Sequence, residues 1–209
     1  MRTPTSVNTL ETFGRFKLSR TFFMRDFLYS EISQMERIPN LPANPQLAIE
    51  VGQRLCEEVL EPIQDRLGRI SIRSAYRSRQ VNDKGAENKN QYRCARSNAN
   101  RARHIWDELD ESGFKGATAC IVVPSFLGFY ENTKHWQALA WWIHDHITSY
   151  SEMEFFPNLA AFNISWHERP AKAISSRVEP LGYLTRPGFA NHEGSHENEY
   201  RAWLAASEA

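Results

Sequence analysis

The sequence predicts an α+β domain, and three observations predict it. Leu47, Val51, Leu55, Val59, Ile63 and Leu67 recur every four residues, the spacing of one helix face. RISIRSAY (69–76) alternates and reads as a strand, and GATACIVVP (116–124) reads as a second strand. HWQALAWWIHDHI (135–147) carries a wide aromatic and aliphatic face, as a buried helix does. A chain of 209 residues suits one such domain with a tail.

Residues 1–15 are polar and aperiodic and read as a loose N-terminal arm. The domain itself spans 16–190. It opens with FKLSRTFFMRDFLYSEISQ (16–34), where Phe23, Phe27 and Ile32 fall at helical spacing. A proline-rich connector, IPNLPANP (38–45), leads to the long helix. Asn44 caps that helix, Pro45 occupies its first turn and Gly68 ends it. Pro62 lies inside the pattern and predicts a kink or break near Glu61. After the strand at 69–76, the polar stretch 77–100 reads as a long loop. Pro124 ends the strand at 116–124. LAAFNISWHERP (159–170) is a third strand, and VEPLGYLTRPG (178–188) is an edge strand broken by prolines. Residues 191–209 form a C-terminal tail, helical from about Glu197.

Lys+Arg and Asp+Glu are each 25, so the formal charge is zero, which excludes a basic footprint for nucleic acid or anionic lipid at the level of the whole chain. No run of about 18 apolar residues is present, so no membrane span is expected. The N-terminus lacks the apolar segment of a secretory signal, which places the expected location in the cytoplasm. Cys56, Cys94 and Cys120 are odd in number and far apart. They argue against a disulfide framework and for a reducing compartment.

Four places concentrate chemistry: His104, Cys120, His167, and HEGSH at His192–His196. HEGSH spells the H-E-x-x-H zinc-protease pattern, whose two histidines must share one face of a stable helix. Gly194 and Ser195 sit inside it and no apolar face surrounds it. It reads as a chance match in an exposed or poorly ordered tail that holds no catalytic zinc. His144 and His146, two apart on a helix, point to different faces and are no metal pair. Trp141 and Trp142 read as core. Taken alone, Cys120 is a small core hydrophobe, and His104 and His167 are hydrogen-bonded histidines.

Several segments in chain order change that reading. SIRSAYRSRQVN (71–82) resembles the S-G-Y-R-S-x-x-V-N segment of the M15 zinc peptidases, the D-Ala-D-Ala carboxypeptidase-like family. FKLSR (16–20), ERIPNLP (36–42), LEPIQDRLG (60–68), GATACIVVPSF (116–126) and SWHE (165–168) resemble further family segments, so the likeness covers about residues 16–170. The resemblance implies a small α+β domain in which helices flank an antiparallel sheet carrying one zinc. Carried over by position, the ligands are His104, Cys120 and His167, with Cys120 where the family has Asp; thiolate is a good zinc ligand. Fifteen residues separate His104 from Cys120 where the family has six, so Asp107, Asp110 and Glu111 are alternative oxygen ligands.

The general base of the family stands three residues before the last His. That position is Ile164, which takes no proton, and Glu168 is the nearest carboxylate. Arg77 matches the family's Arg, which fixes substrate and polarises the scissile carbonyl, so the resemblance implies Arg77 and Glu168 as catalytic residues and Tyr76, Arg77 and Ser78 as substrate-binding positions. The activity implied is zinc-dependent hydrolysis of peptidoglycan stem peptides or other D-amino-acid peptides, reached from the cytoplasm as a phage-type lysis enzyme would reach them. The alternative is a degenerate, non-hydrolytic metal- or peptide-binding relative, favoured by Ile164 and Cys120. The sequence specifies no oligomeric state.

Overall fold

The computed structural model describes residues 1–87, 92, 94–95, 100 and 102–207. It is α+β, with helices around one six-stranded sheet. The strands are β1 (Ser71–Ser74), β2 (Gly116–Val122), β3 (Glu152–Phe155), β4 (Phe162–His167), β5 (Ala173–Ser176) and β6 (Gly182–Thr185), in the spatial order β1-β2-β4-β3-β5-β6. The sheet is mixed, which corrects the antiparallel expectation. β4 runs antiparallel to β3 and β5 returns on the far side of β3, so β3 and β5 are parallel.

Alternation along the strands divides the sheet into two unlike faces. Ala117, Ala119, Ile121, Phe162, Ile164, Met153, Phe155 and Ile174 are fully or nearly fully buried in the main core. Phe155 and Phe162 stack there with ring centroids 4.6 Å apart. The opposite face carries Gly116, Thr118 and Cys120 on β2, Asn163, Ser165 and His167 on β4, and Glu152 and Glu154 on β3.

The first helix, α1 (Val7–Gly14), replaces the expected loose arm. Ser6 and Thr9 form a reciprocal capping box and Phe13 is buried. Residues 16–34 are not one helix: a single 3-10 turn at Met24–Phe27 precedes α2 (Glu31–Glu36). The long helix forms as expected, capped by Asn44 and ended at Gly68 with φ +80°. It is interrupted between α3 (Pro45–Leu55) and α4 (Glu61–Leu67) by a π-helical turn, Cys56–Leu60. Pro62 has no N–H for the carbonyl of Glu58, and the register slips just before it. The buried Glu61 of that break accepts from Ser19 Oγ (2.8 Å) and the Thr21 N–H (2.6 Å), tying the N-terminal segment to the helix.

Within the stretch read as loop, Arg79–Ala86 is a helix, α5, capped by Ser78 Oγ on the Val81 N–H. Residues 88–91, 93 and 96–99 of that stretch lie outside the described residues. Pro124 ends β2 and opens α6 (Pro124–Thr133); α7 (Gln137–His146) and α8 (Glu197–Ser207) complete the helices. Tyr200 and Trp203 bury α8 in the main core, so the tail is part of the domain. Among the described residues no helix is long and apolar enough to cross a membrane.

Candidate functional site

Two of the three residues expected to ligate zinc, Cys120 and His167, lie on the polar face of the sheet, and its register separates them. In the β2–β4 pair Gly116 stands opposite His167 and Cys120 stands opposite Asn163. Cys120 and His167 are therefore four positions apart along paired strands, about 13 Å at about 3.3 Å per residue. Zinc bonds of about 2.0–2.3 Å do not bridge that span. His104, Cys120 and His167 do not fit one zinc, and among the described residues no three His, Cys, Asp or Glu side chains are grouped to hold a metal ion.

Each of these residues has its own surroundings. His104 is buried. Its Nδ1 donates to the Ala75 carbonyl (2.7 Å), which leaves Nε2 as the nitrogen with the lone pair. Burial, and then the nearby charge of Arg77, hold the ring well below its ordinary pKa, so it is neutral. Cys120 lies with Val122 and Ala161 against Leu127 and Phe156. Loss of solvation pushes its thiol up to about 11, although Arg73 and Arg77 pull the other way. A thiol in that state is a weak nucleophile and a reluctant ligand.

At the far end, His167 Nε2 lies 3.0 Å from Asp110 Oδ2, and its Nδ1 accepts from the Arg169 N–H (3.1 Å). Asp110 also accepts from the N–H groups of Ser112 and Phe114 (both 2.9 Å). Burial opposes its charge. The Phe114 amide, His167 and the Ser112 amide outweigh that and hold the carboxyl below its ordinary range.

The other expected site residues are engaged in structure. Tyr76 is fully buried and donates to Asp107 Oδ1 (3.0 Å), whose Oδ2 accepts from the Ala43 N–H (2.7 Å). Asp107 thus anchors the proline-rich connector and is not a second ligand. Ser78 caps α5 and its N–H donates to Asn40 Oδ1 (2.7 Å). Neither Tyr76 nor Ser78 is available to a substrate. Arg77 donates from Nη1 to Asn82 Oδ1 and Cys94 Sγ, both at 3.2 Å, and its backbone N–H binds the His104 carbonyl. Glu168 Oε2 accepts from the Lys115 N–H (2.8 Å), and the Glu168 N–H binds the Lys115 carbonyl; it clips the start of β2 instead of facing a metal. Ile164 is fully buried in the main core, on the face opposite His167. A carboxylate at 164 would enter the core and could not reach any group on the polar face.

HEGSH is not helical and its middle residues Glu193, Gly194 and Ser195 are exposed, as expected, but its two histidines are half-buried and engaged with the rest of the fold. His196 stacks on Trp141 (3.8 Å between centroids, 8° between planes) and its Nδ1 lies 2.7 Å from Asp145 Oδ1. Nε2 of His144 donates to the His192 carbonyl (2.9 Å). The motif fastens the tail to α7.

Sequence reasoning missed Arg103, Thr118, Glu152, Glu154 and Asn163, which with Ser165 and Ser175 enclose a cleft of about 190 Å³ in the polar face. The signal was present in FNISWH, where polar residues occupy alternate positions 163, 165 and 167. Gly116 is needed here: a Cβ would lie 2.6 Å from Arg103 Cδ and 2.9 Å from His167 Cδ2, so only glycine lets both side chains cross β2. No protein-family model, curated protein or solved structure matches this chain.

Proposed function

We propose that the chain is a non-hydrolytic, peptide-binding protein with an M15-like arrangement, and that it binds through the polar face of its sheet. The observation that carries this is the β2–β4 register, which sets His167 four positions from Cys120 and puts Asn163 opposite the thiol. Metal-assisted hydrolysis needs converging ligands and a base within reach of the attacked carbonyl. Here Asp110 takes His167, Lys115 takes Glu168, and Ile164 is in the core. Peptide as the ligand class follows from the resemblance of SAYRSRQVN and GATACIVVP to M15 segments.

The test is a zinc titration by calorimetry together with an assay on a stem peptide ending in D-Ala-D-Ala. The expected result is peptide binding that survives chelation and no cleavage above the blank. Cleavage that requires zinc and is lost in both Cys120→Ser and His167→Ala would reinstate the peptidase. One observation favours a second reading, a zinc hydrolase at the other end of the strand pair. Asp110 and His167 already converge and line, with Glu111, a recess of about 330 Å³. In that case Asp110→Asn abolishes cleavage and Cys120→Ser leaves it intact.

A further inference from the structure

We infer that the cleft between Arg103 and Glu154 seats an uncharged amide group, the peptide bond of a bound ligand, through the carboxamide of Asn163 and the hydroxyl of Thr118. This rests on the peptide-binding reading and names the part of the ligand that the face recognises.

The floor of the cleft is two rungs of the sheet. Thr118 faces Ser165 across β2–β4, and Asn163 faces Glu154 across β4–β3, with Ser175 the next neighbour on β5. The two serines are spent on main chain. Ser165 Oγ accepts from the Glu152 N–H (3.0 Å), and Ser175 Oγ donates to the Met153 carbonyl (3.3 Å). The charged walls are paired, apart from the buried Nε of Arg103. The Arg103 Nη1 pairs with Glu152 Oε2, and Arg177 Nε pairs with Glu154 Oε1 at 2.8 Å. An incoming ion would meet two closed ion pairs and would have to open one of them. A neutral dipole does not face that cost.

Two polar groups in the floor remain. Among the described residues Asn163 and Thr118 make no side-chain hydrogen bond, while each lines the cleft. A carboxamide offers one acceptor and two donors side by side, the complement of an amide C=O and N–H, and the Thr118 hydroxyl adds a donor or acceptor. The volume of about 190 Å³ admits a group of amide size with one substituent and no bulky ring system. The wall is also strained. Arg103 holds φ +52°, and its Nε is buried without a partner. Unfavourable backbone and unmet donors persist where surrounding structure fixes them, typically at binding sites.

The experiment is a ¹⁵N–¹H titration of the full chain with N-acetyl-alanine methylamide at millimolar concentration, followed at backbone amides of 118, 163 and 165 and at the Asn163 side-chain NH₂. The expected result is saturable shifts of these signals. Affinity should fall about tenfold or more in Asn163→Leu and in Thr118→Val, which keep the shape and remove the hydrogen-bonding groups. Unmoved signals would overturn the inference, as would equal affinity in both variants. Equal or larger shifts with acetate or methylammonium would overturn the claim that the seat takes a neutral group. Shifts with N-acetylglucosamine and none with the blocked alanine would overturn the peptide assignment. The probe contains no scissile stem peptide and needs no metal, so its failure leaves the non-hydrolytic reading to be judged by the zinc and cleavage assays.

Discussion

The C-terminal clasp and the polar face of the sheet both gather histidines and carboxylates, and they use them in opposite ways. In the clasp every ring nitrogen of His144 and His196 has a partner: Tyr150 and the His192 carbonyl for the first, Asp145 and the Asn191 carbonyl for the second. Asp145 receives three donors, from the His196 N–H, His196 Nδ1 and Tyr200 Oη. On the sheet, the Asn163 carboxamide and the Thr118 hydroxyl receive none among the described residues. The region that spells a catalytic motif is closed and structural. The region that spells nothing has groups left to offer. A histidine pattern therefore says less about chemistry than the count of unspent hydrogen-bonding groups does.

The contrast breaks first if the clasp contributes little to stability. Trp203 is almost fully buried, edge-on to Phe126 with centroids 4.9 Å apart and edge-on to Trp142 at 6.3 Å. Trp203→Ala should cost about 3–5 kcal/mol. In a domain of this size that lowers Tm by roughly 10 °C. Calorimetric unfolding checks it, and a change under about 2 °C would show that α8 packs only loosely. The second effect is polar. Asp145→Ala strands a histidine ring, a backbone N–H and a tyrosine hydroxyl, and should cost about 2 kcal/mol. The Tyr200 hydroxyl, which burial and then Asp145 push up to about 12, should titrate nearer the ordinary tyrosine value in that variant. Ultraviolet titration reads that change directly.

How far these regions were legible follows from where their information lies. The helix at 45–67 and its break were readable because four-residue recurrence and a proline are local signals. The strand at β2 and the terminal helix from Glu197 were readable for the same reason. Helix α1 was not: its apolar residues Val7 and Leu10 face solvent, and the signal was the Ser6–Thr9 cap. Helix α5 hid in a polar stretch because only Val81, Asn82 and Gly85 are buried. β3 and β5 are four residues each, too short for a pattern, and their parallel pairing is set by a crossing of β3 that no local sequence shows. The site failed on register. Segment resemblance brought His104, Cys120 and His167 into order along the chain. Whether Cys120 meets His167 or Asn163 depends on a two-strand alignment, and a shift of four residues leaves every local pattern unchanged.

His144 gives the comparison a pH axis. Burial holds its pKa below the ordinary value, with the His192 carbonyl opposing and the neighbouring His192 and His196 rings adding to the depression. Nε2–H is committed to the His192 carbonyl, so Nδ1 accepts from Tyr150 and has no room for a second proton. The unfolded chain takes that proton near pH 6.5 and the folded chain takes it lower. The stabilisation by neutral His144 is complete above about pH 6.5 and is lost as pH falls toward the folded value, at no more than about 1.4 kcal/mol per pH unit. The difference in unfolding free energy between wild type and His144→Gln should shrink between pH 7.5 and 5.5. A difference constant over that range would mean that His144 is protonated equally in both states and that the clasp is not closed as described.

The smallest effect is the most discriminating. Asn163 is half-buried on a central strand, between Cys120 on β2 and Glu154 on β3, where a polar side chain normally binds its neighbours. If its carboxamide is unspent, Asn163→Ala removes no hydrogen bond from the folded chain and leaves no donor stranded. Its main chain keeps the ladder, and alanine fits a strand at small cost. Stability should then change by no more than about 0.5 kcal/mol, the range of an ordinary surface substitution. The same variant should weaken the amide probe by about tenfold. A cost of 2 kcal/mol or more would place Asn163 with Asp145, as a group spent on the fold, and the distinction between the two regions would fail at its central residue. Thr118→Val supplies the independent check from the adjacent strand, because it changes a hydroxyl to a methyl of similar shape at a site that is almost fully buried. The Thr118 hydroxyl lines the cleft and is not one of the buried polar atoms left without a partner, so its loss strands nothing and this variant should change stability by no more than about 0.5 kcal/mol while binding the probe less tightly. Stability preserved and affinity lost, at two residues on two strands, is a pattern that structural groups do not produce.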